Sequence, residues 1–257
     1  YVPNDTSIDS RNRVSVVTGP NFSGKSCYTR QVGVIVYMAH LGCFVPAEEA
    51  KLSLTDQILT RITTVETCAT PQSSFQLEMT EMGSILRKAT TFSLILVDEF
   101  GKGTNPSSGV AVLVAVLKKF ATLKCKVVCT THFLEIFSLN LVRDGIGAIQ
   151  AFQMKVRLPK EDENDDLARP LFRIEPGVAK SSAGLLCAAK AGVSRCIINR
   201  AKDILQVIQS GDSESSVPPL IEIFDPPLDL SNDEKEALSL FLSTPDWNTV
   251  SDEKLRR

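Results

Sequence analysis

Eight consecutive residues, Gly19-Pro-Asn-Phe-Ser-Gly24-Lys25-Ser26, carry the plainest chemistry in the chain. Two glycines five positions apart let backbone N–H groups curl around an anion, and the lysine that follows reaches further oxygens. The serine hydroxyl that comes next is a ligand for a divalent cation. This is the GxxxxGK[ST] spacing of a phosphate-binding loop, which needs a strand before it and a helix after it. Val14 to Thr18 is a short β-branched run, and Lys25 to about Leu41 reads as helix, so motif and context agree. Gly19, Pro20, Asn21, Phe22, Ser23, Gly24, Lys25 and Ser26 are therefore the candidate nucleotide contacts. Lys25 is expected on the β and γ oxygens and Ser26 on Mg2+. The loop points to ATP or GTP and leaves the task open.

Asp98 and Glu99 end the four-residue apolar run Leu94 to Val97, where an acid pair belongs in such a site. Asp98 is expected to hold Mg2+ through water, and Glu99 to polarise the attacking water. Successive strand residues point opposite ways, so the two carboxylates need not compete. A surface acid pair at a strand end is the plainer alternative, and the upstream loop weighs against it. His132 follows Thr130 and Thr131 at the end of the next strand, along the same sheet edge. It reads either as a γ-phosphate sensor or as a satisfied loop residue. His40 has no such context and reads as structural.

The elements that position these groups alternate as in an α/β nucleotide fold. Short strands and loops are expected between Phe44 and Thr70, and a helix from Ser74 to Thr90. A further helix follows from Val110 to Ala121 with Pro106 and Ser107 as start signals, then a strand from Lys126 to Thr131. Two strand-like runs between Gln150 and Glu175 flank a charged segment and read as a hairpin with a solvated tip. Two helical patterns, Ser181 to Ala191 and Ser194 to Ile208, meet at Gly192 and Val193 as an αα unit whose apolar faces need a partner. A Ser/Pro-rich linker leads to a last helix, Asp233 to Leu242, opened by a capping box at Ser231 and Glu234.

Over 257 residues, 43% hydrophobic and 23% charged residues are the composition of an ordinary globular protein. No apolar run approaches the roughly 18 residues that span a bilayer, so no membrane partner is expected. The first residues lack the basic and apolar regions of a secretory signal, and the chain reads as a fragment of something longer. A net charge of −2 with scattered charges argues against this piece gripping a polyphosphate backbone by itself. Seven cysteines without paired spacing or nearby histidine ligands read as free thiols in a reducing compartment.

Taken together, these motifs resemble the MutS family. Thr18-Gly-Pro-Asn-Phe-Ser-Gly-Lys-Ser is similar to that family's TGPNxxGKS loop, Asp98-Glu-Phe-Gly-Lys-Gly-Thr104 to its DExGxGT strand end, and Thr130-Thr-His-Phe133 to its TTH switch. Ser73-Ser-Phe-Gln-Leu-Glu-Met79 resembles the STFxxEM segment, whose first serine reaches the γ-phosphate held by the opposite subunit. Ser73 is thereby the candidate acting in trans, with a plain helix N-cap as the alternative. The likeness continues through Gly177 to Gly184, Ala191-Gly-Val and Asn199 to Lys202, similar to a C-terminal helical pair that braces the family's dimers. A DNA-reading helix-turn-helix is the competing reading of that pair, but the segment is only modestly basic.

The resemblance implies a P-loop NTPase of the ABC-ATPase type: a doubly wound, mostly parallel sheet followed by a helical dimerisation element. The expected boundaries are an ATPase core over 1–176, the helical pair over 177–210, and a linker with tail helix over 211–257. It implies an ATPase using ATP and Mg2+, paired with a second MutS-family subunit, acting in the nucleus. Mismatched or branched double-stranded DNA would be held by regions this chain lacks. The wording around Phe100 to Thr104 and Phe44 to Ala50 is more like the meiotic, fifth eukaryotic branch, which pairs with the fourth homologue.

Two positions depart from the family pattern. Ser23 stands where Gly is usual and is expected to take a backbone angle that Gly accepts freely. Lys102 stands where Arg is common. Three rivals remain: a transporter-type ABC ATPase, which expects an LSGGQ helix start found nowhere in the chain; a RecA-like core, which has no place for Gly101 to Thr104; and a non-catalytic scaffold, against which the intact Lys25, Ser26, Asp98 and Glu99 speak.

Overall fold

In the computed structural model, residues 2–62, 74–145, 148–157, 169–179 and 184–210 are described. Ser73, the hairpin tip and the expected helix at 233–242 lie outside them. Strand β1 (Val14–Thr18) is buried along its whole length, as a β-branched run flanked by strands on both sides should be. Helix α1 (Lys25–His40) leads to β2 (Ile58–Arg61) and α2 (Ser74–Lys88), then to β3 (Leu94–Asp98), α3 (Pro106–Leu123) and β4 (Lys126–Thr130). A short helix α4 (Glu135–Ser138) precedes β5 (Ile149–Arg157) and β6 (Arg169–Pro176).

The six strands lie in the order β2-β3-β4-β1-β5-β6, parallel except for the final antiparallel pair. The fold is thus the expected mostly parallel α/β sheet, and β5 and β6 are the expected hairpin strands. Alternation along each strand splits the core between two faces. Val14, Val16, Ile95, Val97, Val127 and Cys129 pack with Met82 and Ile85 of α2 and Leu113, Leu117 and Phe120 of α3. Val17, Leu94, Leu96, Val128 and Met154 pack with Tyr28, Val32 and Val36 of α1. Helices therefore cover both faces, which is what double winding means physically.

Helix α3 begins four residues before the expected Val110. Asn105 caps it, its Oδ1 accepting from the Ser107 N–H at 2.9 Å, and Pro106 occupies the first turn, where a missing N–H is harmless. This helix also corrects the reading of apolar length. Its 18 residues have a mean hydropathy of 1.4, apolar enough for a span by length and composition. A search for uninterrupted runs misses it because Ser, Gly and Lys break the run, and Leu113, Leu117 and Phe120 direct that apolarity into the core.

The six described cysteines are free thiols. Burial pushes Cys125 up to about 11 and Cys129 up to about 12, so neither is a nucleophile near neutral pH. His40 ties α1 to the following loop, with one ring nitrogen 2.8 Å from the Val36 carbonyl and the other accepting from Thr55 N–H at 2.9 Å. The chain divides into two compact units, Tyr1–Gly192 and Val193–Arg257. The first contains the sheet and α5 (Gly184–Lys190), and the second contains α6 (Arg195–Ser210).

Candidate active site

Parallel register brings the C-terminal ends of β1, β3 and β4 to one edge: Val17 pairs with Thr130, and Thr130 with Asp98. The turn from β1 into α1 needs backbone that only some residues accept. Gly19 has φ 149° and Gly24 has φ 98°, and a Cβ on Gly19 would meet the Met154 Cβ at 2.9 Å. The expectation for Ser23 is corrected here. Ser23 is not at positive φ; the non-glycine residue of the loop at a left-handed angle is Phe22, at φ 59°, whose ring is exposed. Buried Ser23 instead braces the loop, its hydroxyl donating to the Pro20 carbonyl at 2.7 Å.

The Lys25 ammonium is buried and donates to the carbonyls of Gly19 and Pro20, each at 2.8 Å. It faces Glu99 Oε1 at 3.6 Å. Desolvation is the largest influence and lowers its pKa, with Glu99 opposing. At the start of α1, Gly24 offers no side-chain cap, and the first turn holds no acid. The uncapped N–H groups, the helix dipole and one desolvated cation suit a polyphosphate, and nothing in that turn repels it. Ser26 sits on the same turn, half-buried.

The acid pair is held from outside its own segment. Asp98, buried at the end of β3, accepts from the Thr130 hydroxyl. Glu99 lies one residue past the strand at φ 50°, and its N–H donates to both the carbonyl and the hydroxyl oxygen of Thr130, each at 3.1 Å. Its carboxylate is shared between Lys25 and Lys102. Desolvation raises its pKa, but the bond and charge of Lys102, then Lys25 and His132, outweigh it and hold it below the ordinary value. Gly101 follows at φ 92°, packed so closely on α3 that a Cβ on Gly109 would stand 2.5 Å from the Gly101 carbonyl oxygen. Its N–H donates to Glu78 of α2 at 3.2 Å.

His132 lies close enough to Glu99, Lys102 and Lys25 to feel their charges, and its ring packs on Phe133 with centroids 4.2 Å apart. Burial lowers its pKa first, then Lys102, with Glu99 opposing, so the imidazole is neutral near pH 7. Its Nδ1 is buried and has no hydrogen-bond partner among the described residues.

Of the expected site residues, the structure gathers Lys25, Asp98, Glu99 and His132 at one sheet edge, at the start of the helix that bears Ser26. Ser73 falls outside the described residues. Thr130 anchors both acids, Lys102 shares the Glu99 carboxylate and Glu78 holds the Gly101 N–H, roles that the TTH and STFxxEM motifs and the Lys-for-Arg departure do not by themselves assign. Thr130 and Glu78 meet the acid-pair turn across 23 to 32 residues, a pairing that a string of letters does not show, whereas Lys102 lies only three residues from Glu99.

Comparison with known proteins shows the family. Residues 15–209 match the model of MutS domain V. The chain is 38% identical to MutS protein homolog 5 of Saccharomyces cerevisiae over 237 residues, 82% of this chain and 26% of that protein. It is 40% identical to the DNA mismatch repair protein MutS of Fervidobacterium nodosum, covering 86% of the chain and 26% of the relative. The MutS of a Synechococcus species is also 40% identical, over 82% of the chain and 22% of the relative. The chain thus spans about a quarter of the length of these relatives. Domain V is the ATPase domain of its family, and this chain belongs to the MutS family.

Proposed function

We propose that this chain binds and hydrolyses ATP between two subunits, and that nucleotide state drives the clamping of DNA by the whole protein. The observation that carries the reading is the Lys25 ammonium facing the Glu99 carboxylate at 3.6 Å, beside an uncapped helix start. Gly19 to Ser26 cradle the phosphates, and Lys25 exchanges its loop carbonyls for β and γ oxygens. Glu99 orients the attacking water, and His132 reads the γ-phosphate through its orphaned nitrogen. Ser26 and Asp98 are the residues that would hold Mg2+, which when bound neutralises charge on the transferred phosphoryl. Ser73 acts in trans on the nucleotide of the opposite subunit.

Helices α5 and α6, with the 177–210 segment, support the pairing. Ile197, Ile204, Leu205 and Ile208 recur along α6 at helical spacing and are exposed, an apolar stripe suited to a subunit contact. The partner is a paralogue of the fourth-homologue type. The DNA is mismatched or branched and is held by other regions, in the nucleus. The relative named MutS protein homolog 5 favours the meiotic branch over mismatch repair.

The test is mass by light scattering for the intact Glu99→Gln protein, with and without ATP and Mg2+, alone and mixed with the candidate paralogue. Nucleotide-dependent dimerisation in the mixture alone supports the heterodimer, whereas self-dimerisation favours a homodimeric repair ATPase. No association under any condition removes the trans role of Ser73. Glu99→Gln is expected to bind ATP and lose turnover by about a hundredfold or more. Turnover equal to wild type would sink the assignment of Glu99.

A further inference from the structure

Glu78 is a carboxylate in an unusual setting: it is buried, and each of its oxygens has a different partner. Oε1 accepts from Arg61 Nη2 of β2 at 2.6 Å, and Oε2 accepts from the backbone N–H of Gly101 at 3.2 Å. Arg61 is held in turn by Glu81, Nε to Oε2 at 2.9 Å. A buried ion pair is weak evidence of stabilisation, because desolvation offsets its attraction. The bond to Gly101 is a reason to retain a charge there. Gly101 is two residues beyond Glu99, and its approach to Gly109 leaves no room for the turn to drift toward α3.

A second contact joins the same two segments. A Cβ on Gly103 would stand 2.9 Å from the backbone nitrogen of Phe75, in the first turn of α2. The turn after the acid pair therefore rests on α2 at Gly103 and is bonded to it at Gly101. On the other side, Thr130 holds the Glu99 N–H. Glu99 is suspended between β4 and α2, and the direction of its carboxylate depends on both anchors.

Building on the ATPase reading above, we propose that Glu78 is a positioning residue for hydrolysis: it ties the acid-pair turn to α2 so that Glu99 faces the attacking water. A displacement of the first turn of α2 is passed through Glu78 and Gly101 to the catalytic carboxylate. Nucleotide affinity, which rests on the phosphate loop, is independent of this link.

The test uses two double variants of the intact, assembled protein. R61M/E78Q and R61M/E78L both remove the ion pair and keep side-chain volume, so both are expected to fold. They differ in one respect: Gln keeps an oxygen for the Gly101 N–H and Leu does not. ATP affinity is expected within about threefold of wild type in both, because neither touches the loop. Turnover is expected to fall about tenfold or more in R61M/E78L relative to R61M/E78Q, as for a misplaced catalytic group. Equal turnover in the two folded variants overturns the role of Glu78 alone. Absence of Lys25-dependent turnover in the wild-type protein overturns the ATPase reading itself.

Discussion

The two halves of the candidate site are built in opposite ways. The phosphate loop supports itself: Ser23 bonds Pro20, Lys25 bonds Gly19 and Pro20, and the Tyr28 N–H returns to Gly24, all within ten residues. The acid-pair turn borrows its supports from elsewhere: Thr130 of β4, Glu78 of α2 and the notch at Gly109 of α3. In the proposed function, a self-supported loop would bind nucleotide before the rest of the site is in order, and a suspended turn would make hydrolysis conditional on the elements that suspend it.

The largest effect that separates the halves is expected from Lys25→Ala. Nucleotide affinity should fall about a hundredfold or more, read by equilibrium binding, because the loop loses a desolvated cation on the phosphates. The melting temperature should move little, since the remaining loop bonds are local. A collapse of the fold would show that the loop is not self-contained.

Next comes Gly109→Ala, which pushes a methyl group against the Gly101 carbonyl oxygen and the Phe133 ring. The expected cost is about 1–3 kcal/mol in denaturant unfolding, with turnover reduced and affinity retained. Loss of affinity in step with turnover would erase the distinction between the two halves.

The smallest effect is a pH dependence at His132. Its folded pKa lies below the ordinary 6.5, so as pH falls through 6.5 the unfolded chain takes the proton first. Stability is therefore lost from about pH 6.5 downward and is unaffected above it. Between about pH 7.5 and 5.5, wild type should lose up to about 2 °C more in melting temperature than His132→Gln. An identical slope in the two proteins would show that the imidazole is not desolvated.

The same contrast explains what was legible in the sequence. The phosphate loop is a contiguous string with its strand and helix beside it, so its residues and element bounds could be read directly. The acids and His132 could be placed because each stands at or within two residues of a strand end, and parallel strands in this fold deliver their ends to one edge. Thr130, Glu78 and Gly109 could not be assigned, because a single chain of letters does not say which distant residues meet. The error at Ser23 has the same root. Family preference for Gly suggested strain there, while the turn as folded puts the left-handed angle on Phe22 and buries Ser23 as a brace. The early start of α3 is the milder case: Pro106 and Ser107, start signals ahead of the expected Val110, are the first two residues of the helix, and Asn105 before them is its cap.

One contact beneath the phosphate loop seats the helix that follows it. Gly33 of α1 lies so close to the sheet that a Cβ there would stand 2.5 Å from Leu96 Cδ1. The helix sits in a notch, and sliding it along the sheet would drive its neighbouring side chains over Leu96 in a close-packed core. A residue larger than glycine at position 33 would therefore have to lift α1 from the sheet or turn Leu96 aside, so the seat of the helix that carries Lys25 depends on a side chain that is not there.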